Sequence, residues 1–309
     1  MAIPVFSRAH VEAAVSPERA LEAVRDAFVA YARGEWTMPP KVYVPAYPAG
    51  DFRAMPALGA GHALLKWVTS FPGNPAQGLP TVSGLVLLSD ASNGMLVAAL
   101  DAGAVTALRT GAAAVLAAET LGTDGEAAVI GAGVNGRAAA RTFAVRGRRV
   151  VVHDLDETRA RAVADELGVA VVGRDEALAA PVVVTVTPGR QPVFAEGSLR
   201  PGQHVSLMGA DGPGKAEIAV GELARVRVFC DDWEQASHNG DLSHAVEAGR
   251  IARGEATQLG DVLAGTVQGR RDADEITVFD STGLAIQDLA IALAAVERAA
   301  ELELPAIDL

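Results

Sequence analysis

The chain has 309 residues, half of them hydrophobic, and a formal net charge of −12 from 26 basic and 38 acidic side chains. That length allows two domains with substantial cores, and the apolar content excludes a disordered chain. The acidic balance argues against nucleic acid or an anionic membrane surface as partner, but leaves room for a small anionic substrate held by local basic residues. Cys230 is the only cysteine, so no intrachain disulfide forms, and a reducing compartment is consistent. The N-terminal residues lack a basic segment followed by a long apolar stretch, and no apolar run approaches the roughly 18 residues of a bilayer span. No signal peptide, no membrane partner and a cytoplasmic location are therefore expected.

The first predicted element is a helix. Ser16 serves as N-cap, Pro17 occupies the first helical position, and Glu18 lies near the positive end of the dipole. Leu21, Val24, Phe28 and Tyr31 recur on one face, and Gly34 stops the run. Short strand-like runs follow at 42–44, 64–68, 82–88 and 95–100, separated by Pro and Gly, with a hairpin-type turn at Ser92-Asn93-Gly94. This region reads as a helix with a largely antiparallel sheet.

An Ala-rich helix is predicted over 106–121. Strands and helices then alternate: strand 127–130, strand 150–153, helix 157–167, and strands 169–172, 182–187, 204–208, 226–230 and 276–279. That alternation predicts a parallel sheet covered on both faces. A long helical run from 284 to about 302 closes the chain and is expected to return to the first domain. The predicted fold class is α/β, a Rossmann-type doubly wound sheet inserted in a discontinuous α+β domain. The expected boundaries are 1–113 plus 283–309 for a substrate-binding and dimerisation domain, and 114–282 for the dinucleotide domain.

The most informative stretch is EAAVIGAGVNGRAAARTFAVRGRRVVVHD, residues 126–154. A strand runs into Gly131-Ala132-Gly133-Val134-Asn135-Gly136, and a helix follows. Gly131 permits the tight turn, Gly133 lets a pyrophosphate approach the backbone, and Gly136 lets the helix pack close to the sheet. The free N–H groups at the helix start bind phosphate. Asp154 lies about 20 residues on, where a carboxylate accepts hydrogen bonds from a ribose 2′-OH and repels a 2′-phosphate, which favours NAD over NADP.

Four cations sit in apolar surroundings: Lys41, Arg53, Lys66 and Arg109. A buried cation needs a partner, and a substrate carboxylate would serve. Taken singly, each also fits a snorkelling or salt-bridged side chain; their combination in one small region favours a common anion. Asp211, in Met208-Gly209-Ala210-Asp211-Gly212-Pro213-Gly214-Lys215, follows a strand whose end faces the ligand crevice. It suits a general base or a holder of an amine, and equally an Asx-turn or helix cap. Thr185-Val186-Thr187 and Ser281-Thr282 also close strands, suited to ribose or carboxamide or to plain capping. His238, Asp241 and His244 match no zinc spacing, so no metal is expected.

With these residues in view, the chain resembles the ornithine cyclodeaminase/mu-crystallin family over nearly its full length. The segments that carry the resemblance are MPPKVYVP (38–45), LKWVTSFPGNPAQGLPTV (65–82), TALRTGAAAVLAAETL (106–121), VIGAGVNGR (129–137), MGADGPGKAEI (208–218), CDDWEQASHNGDL (230–242) and ITVFDSTGLAIQDLA (276–290). The resemblance implies a homodimer, NAD(P) at the domain interface and a small amino or imino acid substrate. By motif, Lys41, Lys66 and Arg109 resemble the family's substrate-carboxylate residues and Asp211 its catalytic aspartate, with Arg53 and Thr282 expected at the substrate. Thr81, Arg109, Val134, Asn135, Asp154, Thr187, Met208 and Ser281 fall where the family contacts the dinucleotide, and Thr110, Val186 and Gly209 adjoin them. MPPKVY, the Arg53 segment and DDWEQA resemble the family's alanine dehydrogenases, whereas its cyclodeaminases carry an acidic residue at position 53. The expected activity is NAD-dependent oxidative deamination of a small L-amino acid, most simply L-alanine. The alternatives are an ornithine cyclodeaminase and a mu-crystallin-like NAD(P)H-binding protein or ketimine reductase.

Overall fold

The computed structural model describes residues 2–189, 191–212 and 214–308. The chain divides into two compact units, Met1–Arg109 with Leu284–Leu309, and Thr110–Gly283. In chain order the first unit holds strands β1 (Ala2–Phe6), β2 (Val42–Ala46), β3 (Gly50–Gly59), β4 (His62–Ser70), β5 (Val82–Asp90) and β6 (Leu96–Asp101). The second holds β7 (Ala127–Ile130), β8 (Val150–His153), β9 (Ala170–Val171), β10 (Val182–Thr185), β11 (His204–Leu207), β12 (Arg227–Cys230), β13 (Ala256–Gln258) and β14 (Thr277–Asp280). The last strand, β15 (Ala306–Asp308), returns to the first unit.

In the first unit the strand order is β15-β1-β6-β5-β4-β3-β2. All neighbours are antiparallel except β1 and β6. Helices α1 (Arg8–Ala14) and α2 (Pro17–Ala32) precede β2. The cap of α2 forms as expected, with Ser16 Oγ accepting from Arg19 N at 3.2 Å. One sheet face is covered by the C-terminal helix, Ala285–Val296, which also packs on α2. On that face Met55, Lys66 and Val86 stand side by side across three strands. The opposite face carries exposed Val42, Leu65, Trp67 and Leu85.

Ten-residue β3 was not among the expected strands, because Pro56 and small residues mask it. Pro56 is tolerated where it lies: β2 pairs only as far as Ala54, so the proline sits past the end of that ladder. The final helix ends at Val296 rather than near 302. Beyond it the apolar face gives way to Glu297-Arg298, and with nothing further to bury the helix stops. Helix α3 (Ala102–Leu121) starts four residues earlier than expected. By length and composition it could cross a bilayer, contrary to the expectation from the sequence, but most of it is buried, as in a core helix.

In the second unit all eight strands are parallel, in the order β13-β12-β14-β11-β10-β7-β8-β9. Strands β7, β10, β11 and β14 are buried throughout, as befits a sheet covered on both faces. The chain winds one way from β7 through β8 to β9 and the other way from β10, so the switch point lies between β7 and β10. Ligand crevices form outside the carboxyl ends of strands at such a point. Helix α4 (Val134–Val145) leaves the glycine loop directly, and α5 (Glu157–Leu167) follows β8.

The loop leaves no space for a side chain at Gly136. A Cβ there would lie 1.7 Å from the Gly131 carbonyl oxygen. Gly131 itself has φ +105°, and its Cβ would meet the Val186 oxygen at 2.6 Å. Replacing Gly136 by Ala is therefore expected to cost at least about 1–3 kcal/mol, the usual cost of overpacking. Chemical denaturation should show the loss, and a variant as stable as the parent would contradict this packing.

Candidate active site

The first unit carries two of the four expected cations, Arg53 and Lys66, on its buried sheet face, and a third, Arg109, on α3. Lys66 is 1% exposed. Its Nζ donates to Asp288 Oδ1 at 2.8 Å and to Thr106 Oγ1 at 2.7 Å. Arg109 Nε lies 3.8 Å from the same carboxylate oxygen and, though buried, makes no hydrogen bond. Asp288 is fully buried on the C-terminal helix, and its Oδ2 is likewise unpartnered. A fully buried ammonium and a guanidinium with a buried Nε thus share one carboxylate. Burial pushes the Lys66 ammonium down to about 8, helped by the Arg109 charge and opposed by Asp288.

Arg53 differs from what the sequence suggested. It is buried, and its guanidinium pairs with Asp51, Nε to Oδ1 at 2.6 Å and Nη2 to Oδ2 at 3.3 Å. The guanidinium also lies 5.3 Å from the centre of the Tyr43 ring. Asp51 balances the Arg53 charge, so Arg53 is not a free cation for a substrate carboxylate. Lys41 is half-buried just before β2, and Thr81 is half-buried just before β5. Lys66 also departs from expectation in finding its partner within the chain. That partner, Asp288, was not anticipated, although a single carboxylate inside the apolar run AIQDLAIALAAV calls for a buried cation.

The second unit brings the expected dinucleotide residues together along the carboxyl edge of its sheet. Gly131 to Gly136 follow β7, Asp154 follows β8, Val186 and Thr187 follow β10, Met208 and Gly209 follow β11, and Ser281 and Thr282 follow β14. Gly133 is the N-cap of α4, and no side chain caps it. A Cβ on Gly133 would meet no atom within 4 Å, so an anion has open access to the helix start. Val134 and Asn135 form the first turn. Asp154 Oδ2 accepts from Ala132 N at 2.6 Å and Oδ1 from Asp156 N at 2.8 Å. This clamps the glycine loop to the end of β8, and each oxygen keeps a lone pair for a hydroxyl. Thr110, on α3, has a buried hydroxyl without a partner. Together these residues can hold a dinucleotide: an open helix start, a glycine turn and a carboxylate at the end of the neighbouring strand.

Asp211 is half-buried in the loop after β11, with Lys215 Nζ 2.5 Å from its Oδ1. Pro213 of that loop lies outside the described residues. The second unit also buries carboxylates: Asp231 and Asp280, which sequence reasoning did not single out, and Asp241, which it weighed only as a metal ligand. Asp231 accepts from Ser281 Oγ at 3.0 Å and Gly283 N at 2.8 Å, which orders the turn after β14. Asp280 accepts from Leu242 N at 2.8 Å, and burial beside Asp241 raises its pKa well above the usual carboxylate range. Asp241 accepts from Glu217 N at 2.6 Å and Ile218 N at 3.2 Å; burial and the Glu217 charge push it up to about 8. Asp241 is thus a backbone anchor. Among the described residues no group of histidine, cysteine or carboxylate side chains is arranged to hold a metal.

The profile of the ornithine cyclodeaminase/mu-crystallin family matches residues 3–303. Alanine dehydrogenase of Archaeoglobus fulgidus is 40% identical over 96% of this chain and 94% of its own length. Iminosuccinate reductase of Paracoccus denitrificans is 32% identical over 96% of each. Among solved structures, an archaeal alanine dehydrogenase dimer with bound NAD superposes with a TM-score of 0.94 at 39% identity, covering 100% of this chain and 99% of the other.

The shared carboxylate makes a direct prediction. Changing Asp288 to Asn leaves Lys66 and Arg109 buried without a counter-charge, which should cost about 3–5 kcal/mol in a denaturation experiment at neutral pH. Without Asp288 to support its charge, Lys66 loses its proton at lower pH than in the parent, so the loss relative to the parent should shrink as pH rises toward 8. A loss below about 1 kcal/mol would show that the pair is not sequestered from water.

Proposed function

The chain belongs to the ornithine cyclodeaminase/mu-crystallin family, and from that premise we propose that it is an NAD-dependent oxidoreductase that oxidatively deaminates a small L-amino acid, L-alanine being the simplest. The observation that carries the substrate class is the pair of cations, buried Lys66 and largely enclosed Arg109, sharing one carboxylate. A second carboxylate, supplied by the substrate, neutralises the remaining charge and gives the Arg109 Nε–H an acceptor. Lys41 is assigned to the same carboxylate. Arg53, already paired with Asp51, is assigned to shaping the pocket, and Thr282 to the substrate through its ordered turn.

NAD is the proposed cofactor. Gly131, Gly133, Val134, Asn135 and Gly136 are assigned to its pyrophosphate and Asp154 to its adenosine ribose. Val186, Thr187, Met208, Gly209 and Ser281 are assigned to its nicotinamide half, with Thr81, Arg109 and Thr110 as further contacts. Asp154 favours NAD because a 2′-phosphate would meet its charge. Bound nicotinamide supplies the acceptor for the hydride on the substrate's Cα.

The chain's own residues do the rest. Lys66 and Arg109 fix the carboxylate and so the direction of the Cα–H bond; fixed orientation of this kind supplies several kcal/mol of a barrier. Loss of hydride leaves a C=N bond on the substrate. Asp211 takes a proton from the water that attacks that carbon and returns it to the departing amine. The products are the 2-oxo acid and ammonia, and the same groups run reductive amination in reverse. The exposed apolar row of Val42, Leu65, Trp67 and Leu85 supports a homodimer, since a patch of this kind marks an interface. A cytoplasmic location is proposed from the sequence.

Incubating the chain with NAD and a panel of L-amino acids, while following NADH and ammonia together, tests this reading. NADH and ammonia in equal amounts are expected. Ammonia without NADH would instead indicate a cyclodeaminase. The reductase relative favours a second reading, reduction of a preformed imine, which would appear as NADH consumption with that imine and none with a 2-oxo acid and free ammonia. Asp211→Ala is expected to lower kcat by at least about 100-fold with little change in NAD affinity.

The Lys66 charge also sets a pH limit. Its folded pKa, about 8, lies below the ordinary 10.5, so the charged form is lost as pH rises through 8. Pyruvate keeps its carboxylate charge throughout and has no amine to titrate. Its affinity for the NADH-loaded chain should fall above pH 8 by up to about tenfold per unit. Flat binding from pH 7 to 10 would remove Lys66 from the carboxylate site.

A further inference from the structure

Glu217 is fully buried in the loop between β11 and the next helix. Its carboxylate is surrounded by donors from two other segments. Oε1 accepts from Thr187 N at 2.7 Å and Thr187 Oγ1 at 2.8 Å, and Oε2 accepts from Gly209 N at 2.8 Å. Thr187 follows β10 and Gly209 follows β11, so one side chain ties two neighbouring strand ends together at the crevice edge. The strands approach closely there: a Cβ on Gly209 would lie 2.1 Å from the Thr187 carbonyl oxygen and 2.6 Å from Glu217 Oε1.

The tether is itself anchored. Asp241 Oδ1 accepts from the backbone N–H groups of Glu217 and Ile218. His244 Nε2 lies 2.8 Å from the Lys215 carbonyl oxygen, holding the same loop four residues past Asp211. The loop is thus pinned at Gly209, at Lys215 and at Glu217, and Asp211 lies between the first two pins. Burying a carboxylate is costly, and Glu217 has its pKa raised by that burial. A buried anion is retained where its hydrogen bonds fix a geometry that an apolar residue cannot fix.

We infer that Glu217 is a positioning residue for the proposed reaction, acting through Thr187 and Gly209 to fix the backbone that presents Asp211. This rests on the assignment of Asp211 above. Glu217 is given no contact with substrate or cofactor. Its role is to hold the C-terminal edges of β10 and β11 in one register.

Glu217→Gln is the test, because it keeps shape and volume but turns an amide N–H toward one of the three donors. Two readouts are needed. Hydrogen–deuterium exchange of the segments spanning Thr187 and Gly209 reads the tether without any substrate, and steady-state kinetics with NAD and L-alanine read its use. The expected result is exchange at least tenfold faster at those two segments, with β7 and β8 unchanged. With it, kcat should fall 10- to 100-fold, KM for the amino acid should stay within about threefold, and the NAD dissociation constant should rise by much less than kcat falls, since Thr187 and Gly209 are also assigned to the cofactor. Unchanged exchange would overturn the tether. Faster exchange with unchanged kcat would overturn the positioning role, and parallel losses of kcat and NAD affinity would make Glu217 a general structural residue. Should the glutamine variant fail to fold, Thr187→Val removes one donor and leaves no buried charge unpaired. It is then expected to speed exchange at Gly209 in the cofactor-free chain, where the assignment of Thr187 to NAD plays no part, and parent-like exchange there would overturn the proposal. A parent chain inactive on the whole amino-acid panel would sink the deaminase reading, while the exchange experiment still decides the tether.

Discussion

Two positive charges in an apolar interior with one carboxylate between them are the constraint from which the proposed chemistry follows. Lys66 enters that interior because its strand alternates strictly, and position 66 falls on the face covered by the C-terminal helix. Asp288 meets it there, and Arg109 comes close without completing a hydrogen bond. Moving a single ammonium or carboxylate out of water costs several kcal/mol. A site that has already met this cost, with charge left over, is ready to accept an anion. The depressed Lys66 pKa is the signature of that state: burial and Arg109 press it down, and the lone carboxylate brings it only part of the way back.

The second unit uses buried charge differently. Its carboxylates accept hydrogen bonds from the backbone at the ends of strands, where loops must hold a shape that no ladder imposes. Asp154 clamps the glycine turn, Asp231 the turn after β14, and Glu217 the ends of β10 and β11. Asp241 and Asp280 brace the segments behind them. Carboxylates suit this task, since each offers several lone pairs and backbone N–H groups are abundant at strand ends. Burial, and after it mutual repulsion, raises the proton affinities of Asp241 and Asp280. Stability carried by their protonated forms is present at low pH and is lost as pH rises through their folded values, about 8 for Asp241.

The order of elements was legible in the chain wherever periodicity and punctuation agreed. The glycine turn, the alternating buried strands of the second unit and the Ser16 cap all fall where their sequences place them. Strand β3 was hidden by Pro56, whose acceptability depends on where its neighbour β2 ends, a fact of pairing and not of local sequence. The candidate cations were legible as charges in apolar surroundings, but their partners were not. Asp288 is 222 residues from Lys66. Glu217 reads as an ordinary polar residue after a Gly/Pro-rich stretch of sequence. Asp51 is two residues from Arg53, yet the strand alternation that normally separates i and i+2 from i+1 is what puts both on one face.

The most direct measurement of the central claim is calorimetric titration of the NADH-loaded chain with pyruvate and with its neutral amide, in the parent and in Lys66→Met. The buried-cation account predicts at least 100-fold weaker pyruvate binding in the variant, with binding of the amide unchanged or tighter. Pyruvate bound equally well by both proteins would contradict it.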